Sequence, residues 1–138
     1  MPRNRDFSPS ALDDHSAPRL RVDWRPQSFF EKRVWQFLIF LPRWLRTESG
    51  REVIFSAHDV DLLQGLLERD FGGYTWGPPL RGVGKRGTQL ETNIHRQVMV
   101  LASRWRGTMR YFRALRRELE GCTGEEQILI LRQELVIV

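Results

Sequence analysis

Between Val34 and Val138 the apolar residues fall into segments whose order constrains the fold more tightly than any motif in the chain. Two strand-like runs each lead into an amphipathic helical stretch and then into another strand, which reads as β-α-β-β-α-β. Each helical stretch carries a single apolar stripe, so each must lie against a sheet, and both are expected on the same face. A segment in this order predicts one α+β domain, a four-stranded antiparallel sheet with two helices on one side.

Local signals place the elements. Val34 to Leu41 is apolar at both parities and runs into Pro42, the pattern of a central strand covered on both faces. A helix competes for these residues, because Ser28 and Glu31 make a capping box and Phe30, Val34, Phe37, Leu38, Leu41 and Leu45 fall at helical spacing. The β-branched and aromatic content, and Pro42, favour the strand. Arg43 to Arg51 reads as a polar connection with a turn at Ser49-Gly50. Ser56 caps the first helix through the amide of Asp59, and Phe55 and Val60 are placed as a staple across the cap. Val60, Leu62, Leu63, Leu66 and Leu67 make its stripe, and Gly72-Gly73 ends it. Tyr74 to Trp76 reads as a short strand closed by Gly77-Pro78-Pro79, and the glycines between Leu80 and Thr88 predict a mobile hairpin loop. A strand is expected from about Thr92 to Ala102. On the second helix Tyr111, Phe112, Leu115 and Leu119 share one face, Arg106, Arg110, Arg113 and Arg117 share the opposite one, and Gly121 and Gly124 end it. Gln127 to Leu131 and Glu134 to Val138 read as two short strands, or as one strand bulged at Arg132-Gln133.

Upstream of these elements the composition changes. Residues 1–27 hold Pro2, Pro9, Pro18 and Pro26 among Arg and Asp without apolar periodicity, so a disordered or extended tail is expected, with disorder up to about Arg19. Alternation at Leu20, Val22 and Trp24 allows a short edge strand or a docked arm. Residues 28–138 then make a single domain, the usual size for one core. The single cysteine, Cys122, fits a reducing compartment, so cytoplasm is expected. The first residues lack an apolar signal segment, and the run Phe37 to Leu41 is far shorter than the roughly 20 residues of a membrane span, so none is predicted.

The arrangement resembles the ferredoxin-like fold over about Val34 to Val138. That is a likeness of fold and names no family, and the fold hosts many unrelated activities. It has one functional implication. The face away from the helices should be polar if it meets water, yet the first strand is apolar at both parities and Met99, Leu101, Leu129 and Leu131 add to the excess. That face is expected to be covered by the segment Leu20 to Phe30, by a second copy of the chain in a homodimer, or by a small apolar ligand. The leading expectation is a binding or assembly module.

Two further readings rest on charge and on one histidine. The net charge is +5, and of 22 basic residues only Lys32 and Lys85 are lysines. Arginine suits phosphate, so Arg106, Arg110, Arg113 and Arg117, with Arg81, Lys85 and Arg86 of the glycine-rich segment, form a candidate nucleic-acid surface. A solvated helix face explains the same stripe. The glycine-rich segment is no P-loop, since Arg86 follows Lys85 where Ser or Thr is needed and a strand follows it. His95 with Glu91 is a candidate acid-base pair of a small enzyme. His15, His58 and His95 stand in separate segments with no Cys beside them, so no metal site is predicted, and no cofactor signature is present.

Overall fold

In the computed structural model, residues 5–25, 32–47, 50–86, 89–125 and 128–138 are described, and the side chains of 45–47, 51, 82–86 and 89–93 lie outside that description. The chain is a mixed α+β protein. Its strands are β1 (Lys32–Thr47), β2 (Gly50–Val53), β3 (Thr75–Arg86), β4 (Gln89–Ala102) and β5 (Ile130–Ile137), and its α-helices are α1 (Ala57–Phe71) and α2 (Arg106–Thr123). Two short 3-10 helices, Pro9–His15 and Pro18–Leu20, precede them. No helix among the described residues is long and apolar enough to cross a membrane.

Every strand pairing is antiparallel. β4 lies between β1 and β3, and the outer edge of β1 is shared: β5 pairs with Lys32 to Ile39, and β2 pairs with Trp44 to Thr47. Pro42 does not end β1. The amide of Phe40 donates outward to Leu129 O at 3.0 Å, so two residues on the proline nitrogen faces the same side, in the gap between β5 and β2 where no donor is required. The register with β4 shifts between Pro42 and Trp44, which makes Arg43 a bulge. Its carbonyl accepts from Ile54 N at 2.9 Å, and its buried guanidinium donates through Nε to Phe55 O at 2.9 Å. The segment read as a polar connection therefore holds the end of β1 and the start of β2, which short-range turn signals at Ser49-Gly50 could not separate.

Other expectations change for the same reason, that pairing overrides local signals. The Gly-rich stretch is part of β3, not a loop, and pairs with β4 as far as Arg86; Gly77-Pro78-Pro79 is absorbed as an irregularity between Trp76 and Pro79. β5 is one strand in unbroken register, with Arg132 opposite Phe37 and Gln133 opposite Gln36, so there is no bulge at that dipeptide. The helices match their sequence signals more closely. Ser56 Oγ accepts from Asp59 N at 3.1 Å while Asp59 Oδ2 accepts from Ser56 N at 3.2 Å, and Gly72 ends α1 at φ +84°. Gly121 lies within α2, which ends at Gly124.

Odd residues of β1 and even residues of β4 face the helices. Phe37, Ile39, Leu41, Val98, Val100 and Ala102 are buried beneath Leu63, Leu67, Phe112 and Leu115, and Phe37 stacks on Phe112 with ring centroids 3.7 Å apart. The N-terminal segment completes this core, which corrects the expected disorder up to Arg19. Phe7, Leu12 and Leu20 are at most 2% exposed and belong to the same cluster. Average hydrophobicity missed them because a few apolar side chains, Phe7, Leu12, Leu20 and Val22, point inward while polar ones hold the two helices. Phe7 N donates to Asp59 at 3.0 Å, Arg69 bridges Asp13 at 2.9 Å, Arg5 pairs with Glu118, and Arg21 donates to the carbonyls of Glu68 and Arg69 at the end of α1. Asp70 is the junction. It is buried and accepts from Ser16 Oγ at 2.5 Å, Arg69 Nε at 2.9 Å and Tyr111 Oη at 2.6 Å, so one carboxylate joins the N-terminal segment, α1 and α2.

Candidate functional site

The opposite sheet face is built by alternation. Leu38 stands opposite Met99 on one side and Leu131 on the other, Gln36 opposite Leu101 and Gln133, and Val34 opposite Leu135, so these side chains share the face away from the helices. Phe40, opposite Gln97, joins them. Leu38, Phe40, Met99, Leu101 and Leu135 are half-buried and Leu131 is 44% exposed, with Leu129 at 52% beside it. A sheet face meeting only water carries mostly polar residues; here Gln36, Thr75, His95, Gln97 and Gln133 are outnumbered by Val34, Leu38, Phe40, Met99, Leu101, Leu131 and Leu135.

The described part of the segment expected to cover this face, residues 20–25, borders one end of it. Val22 is buried and lines a cleft with Val34, while Trp24, 60% exposed, borders a cleft of about 210 Å³ with Tyr74, Met99 and Leu101. Residues 26–30 of that expectation lie outside the described residues.

His95 also stands on this face, opposite Pro42 and Leu80, and burial holds its pKa below the ordinary histidine value against an upward pull from the charge of Glu125. Glu125, beyond the end of α2, is a carboxylate whose charge reaches His95, and among the described residues its Oε1 is buried without a hydrogen-bond partner. The expected partner, Glu91, is four residues along β4 from His95, opposite Gly84, with its side chain outside the described residues. Sequence proximity selected Glu91; the turn after α2 supplies Glu125, for which no local signal exists.

The arginine stripe is a true outer face of α2. Arg106, Arg110, Arg113 and Arg117 are all exposed, and none forms an ion pair among the described residues. No exposed aromatic accompanies them on α2 to stack on a base. Arg81 is exposed on β3, a different element, and the side chains of Lys85 and Arg86 lie outside the described residues. Comparison with protein-family models, with curated proteins and with solved structures finds no match to this chain.

Proposed function

We propose that this chain is a binding or assembly module in which the open sheet face docks on the same face of a second copy. The neighbour order β5-β1-β4-β3 supports reading the sheet as a split β-α-β arrangement of ferredoxin-like type, with β2 as an added strand on the free half of the β1 edge and the N-terminal segment as a cover over the helices. The observation that carries the reading is the apolar row Leu38, Phe40, Met99, Leu101, Leu131 and Leu135 on a face that helices leave uncovered. Four strands about 4.8 Å apart and about eight residues long present a projected patch of roughly 500 Å². That is at the small end of specific interfaces, so weak, concentration-dependent association is expected.

Sedimentation velocity from about 1 µM to about 200 µM tests it. The expected result is a monomer-dimer equilibrium that Leu131→Glu shifts at least tenfold toward monomer, with an unchanged circular dichroism spectrum because Leu131 is already 44% exposed. Monomer throughout the range, or a dimer indifferent to Leu131→Glu, refutes the sheet-face interface.

A further inference from the structure

A second feature lies at the end of the sheet, where the N-terminal segment crosses from the helices toward β1. A cleft of about 400 Å³ is lined there by Arg19, Arg21, Lys32, Arg33 and Arg104, with Asp23 as the acidic group among the described residues that line it. Two of these cations are already engaged. Arg104 Nε pairs with Glu134 at 2.8 Å, and Arg21 donates to the last carbonyls of α1. Asp23 is committed as well, since Arg25 holds both of its oxygens at 2.9 to 3.2 Å and keeps its carboxyl far below the usual range through those hydrogen bonds.

Lys32 is held more loosely. Its Nζ is buried and makes no hydrogen bond among the described residues, and its ion pair with Asp23 is long, at 4.0 Å. Arg33 is exposed beside it, and the Arg19 guanidinium rests over the Trp105 ring at 5.7 Å; neither has a carboxylate partner among the described residues. A shielded ammonium without a hydrogen-bond acceptor is costly, and Lys32, held by a long ion pair alone, offers donors together with Arg33 and Arg19 to a multiply charged oxyanion.

We infer that this cleft is a binding site for a phosphate-bearing small molecule, held by Lys32, Arg33 and Arg19. Isothermal titration of the full-length chain with pyrophosphate, and in parallel with citrate, at low ionic strength tests the assignment. Saturable one-to-one binding of pyrophosphate is expected, weakened about tenfold or more by Lys32→Met and by Arg33→Gln. Arg113→Gln, which removes an equal charge from the outer face of α2, is expected to leave the affinity unchanged. No saturable binding, preference for citrate over pyrophosphate, or equal weakening by Arg113→Gln overturns the inference. Because Arg33 is exposed, Arg33→Gln decides the matter even if Lys32→Met does not fold.

Discussion

Replacing Asp70 with Asn tests whether one carboxylate fastens three separate parts of the chain. In the wild type, burial pushes its pKa up, but hydrogen bonds from Arg69, Ser16 and Tyr111 and the charge of Arg69 together bring it below the ordinary aspartate value. Asn keeps the shape, removes the charge beside Arg69, and turns a pure acceptor into a group with an NH2 that faces a donor. Arg69 is 46% exposed and keeps its bridge to Asp13, so the cost is that of weakened charge-assisted hydrogen bonds, about 1.5 to 3 kcal/mol. A 138-residue chain unfolds with an entropy of about 0.3 kcal/mol/K, so Asp70→Asn should lower Tm by about 5 to 10 °C in scanning calorimetry at neutral pH. Tyr111→Phe, which removes one donor and leaves Arg69 in place, should cost about half of that or less. A carboxylate whose folded pKa is depressed contributes stability that is fully present above the unfolded value of about 3.9 and is lost as pH falls through the lower folded value. The gap between wild type and Asp70→Asn should therefore narrow as pH is taken from about 6 to about 3. A Tm loss under about 3 °C, or a gap that widens in acid, refutes the role assigned to this junction.

Two further outcomes follow from packing. Phe112→Ala removes the ring stacked on Phe37 at 3.7 Å and beside Phe71 at 5.2 Å, and should cost about 3 to 5 kcal/mol in urea unfolding with an unchanged m-value. Gly107→Ala places a Cβ 2.3 Å from the Trp105 ring, so a rigid indole must move at the start of α2; a loss of about 1 to 3 kcal/mol by thermal melting is expected, and a neutral effect would show that Trp105 is loosely held.

Elements defined by neighbours in sequence were legible, and those defined by neighbours in space were not. Helix α1 has its cap at Ser56, its stripe and its Gly72 stop within one window, so its sequence signals and its structure coincide. The two faces of α2 were equally readable, since Tyr111, Phe112, Leu115 and Leu119 are buried and the four arginines exposed. The strand in place of a helix at Val34 to Leu41 followed from composition, but its continuation through Pro42 depends on a gap between two partners that the sequence of β1 does not encode. The N-terminal segment is the extreme case. Each of its anchors, Phe7 on Asp59, Asp13 on Arg69 and Ser16 on Asp70, spans more than fifty residues, and no local periodicity reports any of them. The apolar excess of the open sheet face is legible in the sequence as a count of leucines; the basic cleft is not, because Arg19, Lys32 and Arg104 meet only after folding.

The shared outer edge of β1 also dictates an order of events during folding. β2 follows β1 directly and pairs with its far half as a hairpin, whereas the half from Lys32 to Ile39 waits for β5, roughly a hundred residues further along the chain. Until β5 arrives, eight residues that include Val34, Trp35, Phe37, Leu38 and Ile39 present an unpaired edge able to recruit any extended segment nearby. On a ribosome this would make β5 the closing element of the sheet, and any nascent or truncated chain that has not yet delivered it the species in most need of a chaperone.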